Sequence, residues 1–236
     1  VREGAIDLAL VGIGALGGSG ADSLTTVAVL PRREIRDVLV TLSSRATPLS
    51  QLPAGSRVGV VGVRRLAFLA AHRPDVEAVE LERDPLSGAP SDQENLDAIV
   101  VSALDARQAG LLDETVEALD PRAWLPEPGQ GAYALVAKHP IAEATALDHL
   151  PTRTALRAEL ALLEALGVDY QAELGCFAQP SGRWIRLWAG AVSADGSRLV
   201  RSDRTGPLDE PEGLGLAVAR QLQARGFGLL AEGALS

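Results

Sequence analysis

Apolar positions along the chain gather into short runs separated by polar, Gly- and Pro-bearing breaks, with a few stretches of helical spacing between them. Residues 5–11 read as a buried strand entering a glycine-rich loop over 12–20, and residues 25–30 form a second short strand. Pro31-Arg32-Arg33-Glu34 breaks that run, and residues 38–42 are strand-like again. Pro53-Ala54-Gly55-Ser56 is a turn into a strand over 57–63; residues 64–72 then have helical spacing that ends at Arg73-Pro74-Asp75. Residues 76–81 are extended, 84–95 look like a loop, and 96–101 form another buried strand followed by a helix over 103–110. A further strand covers 132–137. Strands alternating with helices predict an α/β fold with a parallel or mixed sheet.

The pattern changes after a boundary over 140–151. Residues 152–166 form an amphipathic helix with Gly167 placed to close it, and a polar loop carrying Cys176 follows. Residues 184–192 and 199–203, joined at Ala194-Asp195-Gly196-Ser197, read as a β-hairpin, and 212–225 as a last helix. This predicts a compact α+β module. Ile6-Asp7-Leu8-Ala9-Leu10 and Leu96-Asp97-Ala98-Ile99-Val100 echo each other, as two related lobes facing a cleft would produce and as two unrelated apolar strands also would.

Composition narrows the partners. The 236 residues carry 31 acids against 22 bases, a formal charge of -9, so no global basic field exists for nucleic acid or an anionic membrane. The longest apolar run, over 5–16, is too short to span a bilayer and is interrupted by Asp7. Hydrophobic residues at 47% exclude a disordered chain. Bases are almost all Arg, with Lys138 the single lysine, and planar guanidinium groups suit carboxylate recognition. One cysteine permits no intrachain disulfide, which fits a reducing, cytoplasmic compartment.

Three features invite chemistry. Gly12-Ile13-Gly14-Ala15-Leu16-Gly17 matches a dinucleotide-binding pattern after a strand, but the helix that pattern requires is replaced by a longer glycine loop and a β-branched run. Arg64 and Arg65 open a helix directly after a strand, where backbone N–H groups and the helix dipole favour an anion; they read either as a clamp for a small acidic ligand or as solvated surface charge. Cys176, in its expected loop, reads either as an inert small apolar residue or as a thiol open to chemistry. His72, His139 and His149 have no metal-ligand spacing, so no metal is expected.

In order and spacing, several stretches together resemble hydroxymethylbilane synthase, the porphobilinogen deaminase family. They are Glu3-Gly4-Ala5-Ile6-Asp7-Leu8-Ala9, Arg36-Asp37 with Leu39-Val40, Leu52-Pro53-Ala54-Gly55-Ser56, Arg64-Arg65, and Arg73-Pro74-Asp75. They continue through Leu96-Asp97-Ala98-Ile99-Val100, Pro126-Glu127-Pro128-Gly129-Gln130-Gly131-Ala132, residues 159–166 and Gly175-Cys176. The resemblance implies two periplasmic-binding-protein-like lobes around a cleft and a third, α+β, domain. It implies a partial first lobe over 1–35 completed by 124–146, a second lobe over 36–123 and the C-terminal domain over 147–236. The chain opens almost at the Glu-Gly-x-Ile-Asp stretch, so the first lobe is expected to be incomplete.

As the resemblance implies, porphobilinogen units condense on a dipyrromethane cofactor held by a thioether, with release of ammonia, in tetrapyrrole biosynthesis. Cys176 corresponds to the anchor, Arg64 and Arg65 to cofactor-carboxylate ligands, and family members are usually monomeric. The departures lie at the chemistry. The family's His-Ser-x-Lys-Asp-x-Pro corresponds here to residues 11–17, with Ala15 at the catalytic Asp. Leu-Arg-Gly-Asn-x-x-Thr-Arg corresponds to residues 81–88, which puts Glu82 and Gly88 at two substrate arginines and leaves Arg83, one position along, to take over. Loss of a positioned acid–base group predicts a rate loss on the order of several powers of ten unless Glu127, Asp84 or Asp7 substitutes. The alternative is an inactive relative that binds a pyrrole or another small anion.

Overall fold

In the computed structural model, which describes residues 7–14, 24–42, 46–82, 95–111, 116–170 and 172–230, the chain forms three separate sheets. In order the elements are β1 (Ala9–Gly12), β2 (Thr25–Val29), β3 (Asp37–Thr41), β4 (Arg57–Val60), α1 (Val63–His72), β5 (Glu77–Glu80), β6 (Ala98–Ser102) and α2 (Ala103–Gln108). Then come β7 (Val116–Ala118), β8 (Tyr133–Ala137), α3 (Ala142–Thr145), α4 (Leu150–Leu166), β9 (Leu174–Ser181), β10 (Trp184–Val192), β11 (Leu199–Pro207) and α5 (Pro211–Ala224).

The first sheet has the order β1-β8-β2, both pairings antiparallel. The second, β5-β4-β6-β3-β7, is mixed: β4 runs parallel to β5 and β6, and β3 antiparallel to β6 and β7. Its strands are apolar on both faces because both are covered. Leu39, Val58, Val60 and Val100 meet Phe68 and Leu69 of α1, while Val38, Val40, Ile99 and Val101 meet Ala103 and Ala106 of α2. This is the predicted α/β class.

The third sheet, β11-β10-β9, is antiparallel and carries α4 and α5 on one face. Its other face lays Phe177 and Val192 against Trp124 and Leu125 beside the second sheet. α4 ends at Gly167, whose φ of 68° is the left-handed conformation a residue with a Cβ resists.

The hairpin expected over 184–203 is therefore part of a three-stranded sheet, and the polar loop expected around Cys176 is β9. Gly175 and Pro180 suggest loop punctuation, yet each suits its place in a strand. A Cβ on Gly175 would stand 2.5 Å from the Leu125 carbonyl oxygen, so the glycine permits close approach. Pro180 sits near the end of an edge strand, where proline is tolerated. β7, a three-residue edge, is too short to read from pattern. Most of the glycine loop over 12–20 and of the loop over 84–95 lies outside the described residues.

Candidate functional site

Strands β1, β4 and β6 all end on one cavity of about 310 Å³, the place where open α/β sheets bind ligands. Gly12 and Gly14 line it from β1, Val61 and Arg65 from the β4–α1 junction, Ser102 and Asp105 from the β6–α2 junction. The stretch over 127–133 forms another wall. A second cavity of about 240 Å³ shares Val61, Arg65 and Glu127 with the first and adds Arg64, Glu80 and Tyr170. The first sheet, the second sheet and the segment after α4 thus converge on one cleft.

Arg64 and Arg65 stand in the first turn of α1, at the positive pole of its dipole, with no acidic residue in that turn and no side-chain cap. The compensating anion comes from β3. Asp37, fully buried, accepts from Arg64 Nη2 at 2.6 Å and Arg65 Nη2 at 3.0 Å. It also accepts from Trp124 Nε1 and Gln130 Nε2, each at 2.9 Å, so both carboxylate oxygens are engaged. Burial pushes its carboxyl up, but the two guanidinium charges outweigh that and hold it well below the usual carboxylate range. Arg64 Nη1 further donates to the Leu125 carbonyl at 2.7 Å, and Arg65 Nη1 to that of Val61 at 3.2 Å. The anion site predicted at this helix start is therefore already served by the protein's own carboxylate. Only Arg65 Nε, among the buried side-chain atoms of this cluster, has no hydrogen-bond partner.

A second buried carboxylate fixes the other side of the same segment. Glu159 of α4, 0% exposed, pairs with both terminal nitrogens of Arg32 and accepts from the backbone N–H groups of Gly129 and Ala178, each at 2.7 Å. Arg32 Nε donates in turn to the Gln130 carbonyl at 3.0 Å. The Pro-Glu-Pro-Gly-Gln-Gly stretch is thus pinned between Asp37 and Glu159. Gly131 there has φ 75°, and a Cβ on it would lie 2.5 Å from the Glu34 carbonyl oxygen. The stretch that marks the family in sequence is, physically, the joint between its three sheets.

Cys176 departs from expectation. Its backbone pairs with Ala189 of β10, its N–H donates to the Pro126 carbonyl at 2.9 Å, and its side chain is 0% exposed. Strand alternation turns Leu174, Cys176 and Ala178 onto the α4–α5 face, among Ala158, Leu162 and Val218. Burial, then the charge of Glu159, pushes the thiol well above its usual range, so the nucleophilic thiolate is suppressed. Cys176 lines neither cavity. A thioether anchor needs a thiolate open to the cleft, and in this conformation the thiol is closed off from both cavities.

Of the other predicted residues, Ala15, Arg83, Asp84 and Gly88 lie outside the described residues. Glu82 and Asp7 are exposed. Glu127 lines both cavities, and its Oε1 stands 3.7 Å from where a Cβ on Gly14 would be. Sequence reading missed Asp37 and Glu159 as the buried partners of the arginines. Their signal was acids at positions inside an apolar strand and on a helix face, where unpaired charge is costly. It also missed Tyr170, which carries no motif.

These features define a class: a mixed α/β cleft protein in which two sheets wall the cleft and a third, antiparallel sheet with two helices flanks them. Residues 1–145 match the family model described as porphobilinogen deaminase, dipyromethane cofactor binding domain. The porphobilinogen deaminase of Pelobacter propionicus is 33% identical over 229 residues, covering 95% of this chain and 73% of the relative. That of Stenotrophomonas maltophilia is 36% identical over 208 residues, covering 86% and 68%. A solved structure, the periplasmic aliphatic sulphonate binding protein of Escherichia coli, is 23% identical with a TM-score of 0.36, covering 69% of this chain and 58% of that one. The chain belongs to the porphobilinogen deaminase family, transferases of tetrapyrrole, porphyrin and heme biosynthesis whose cofactor is dipyrromethane.

Proposed function

We propose that this chain serves tetrapyrrole biosynthesis as a pyrrole-binding member of the family that does not itself condense porphobilinogen. The observation that carries this reading is the sealed thiol: the cleft, its arginines and the joint behind them are formed, while Cys176 is 0% exposed in another core. Ala15, at the position matching the catalytic Asp, has no ionisable group. The ligand is a small carboxylate-bearing pyrrole, porphobilinogen or an oligopyrrole. Arg64 and Arg65 at the cavity wall supply positive charge for its carboxylate, and Glu127 an acceptor for a cationic group on the ligand. The protein works in the cytoplasm, where a single reduced cysteine is stable.

A second reading, a condensing transferase, is favoured by Glu127, whose carboxylate stands beside Gly14 and hence beside the stretch that lost its acid. One assay separates them. Purified protein incubated with porphobilinogen is expected to bind it, measured by titration calorimetry, and to release no ammonia. Ammonia release that disappears in Glu127→Gln would instead establish the second reading.

A further inference from the structure

Six residues before Cys176, the segment that leaves α4 passes the cleft. Tyr170 follows the Gly167 cap and lines the 240 Å³ cavity together with Arg64, Arg65 and Glu127. It is half-buried, packed at once against the α4–α5 core and against Ile13 and Leu156 beneath the first sheet. Burial, then the charge of Glu159, raises its phenol to about 12, so at neutral pH it is a protonated hydroxyl rather than a nucleophile. Cys176 lies in that same α4–α5 core, is 0% exposed and lines neither cavity.

We propose that position 170, not 176, is where this layer presents a side chain to the cleft ligand, and that the chain therefore holds its pyrrole reversibly, with no thioether. This rests on the pyrrole-binding reading above and adds the point of contact and the non-covalent mode. Tyr170 supplies an aromatic face and a hydroxyl donor beside the guanidinium groups, a pairing that suits a flat ring bearing a carboxylate.

Thiol titration with a disulfide reagent tests the geometry. The native wild-type protein is expected to show no reactive thiol and the denatured protein one. The Tyr170→Cys, Cys176→Ala double variant is expected to show one reactive thiol without denaturant. Protein from a host that makes porphobilinogen is expected to have the unmodified mass of its sequence. A native thiol in the wild type that Cys176→Ala abolishes, or a pyrrole adduct mapped to Cys176, would overturn the proposal. So would a folded double variant whose introduced thiol does not react. These readouts do not involve turnover. Ammonia release by an unmodified wild-type chain would sink the non-condensing reading and leave the assignment of position 170 standing.

Discussion

Asp37 carries two guanidinium groups at the start of α1, and without its charge both cations are left buried against the positive pole of a helix. Breaking such a pair costs about 3–5 kcal/mol. Asp37→Ala is expected to lower the urea midpoint by a corresponding amount at unchanged slope. The sign of the pH effect follows from the depressed carboxyl. Its stabilisation is complete above the unfolded value of about 4 and is lost as pH falls toward the lower folded value. The wild type should therefore lose stability below about pH 4, and Asp37→Asn should show a flatter curve over that window. Parallel curves would mean that the carboxylate does not act as described. In sequence, an acid beside an apolar strand signals that it needs a partner but not which one; Arg64 lies 27 residues on, and only the fold brings the two to 2.6 Å.

At the scale of elements, α4 and α5 touch through a glycine. A Cβ on Gly215 would meet the Ala158 carbonyl oxygen at 2.5 Å and Ala161 Cβ at 2.9 Å, whereas one on Gly213 would reach only Glu210 Cβ at 3.9 Å. Alanine favours a helix over glycine by about 1 kcal/mol, but overpacking costs about 1–3 kcal/mol. Gly213→Ala is expected to raise the midpoint of thermal unfolding and Gly215→Ala to lower it. A rise in both would show that the helices can separate without loss. Helix periodicity made α4 and α5 readable in sequence, since an apolar stripe is a local pattern. Strand β9 was not, because glycine and proline there answer to Leu125 and to a sheet edge, both remote in the chain.

Across the whole molecule, the stretch over 126–131 is the joint, and Glu159 ties it to α4, β9 and Arg32, a residue 127 positions away. Removing that carboxylate leaves a part-buried guanidinium and two backbone donors without their acceptor. Glu159→Ala is expected to uncouple the C-terminal layer from the lobes. Urea transitions followed by far-ultraviolet dichroism and by tryptophan fluorescence should coincide in the wild type and separate in the variant. Coincident transitions in both would mean that apolar packing alone carries the coupling. The sequence by itself determined the alternation of strands and helices, hence the α/β class, and the spaced motifs that mark the family. It did so because periodicity and turn chemistry act over a few residues. The tertiary structure alone decided which carboxylates the arginines meet and which side chain the third layer shows to the cleft. Cys176 alternates between two possible faces of a strand, and the pairing with β10 and the packing of α4 and α5 select the sealed one.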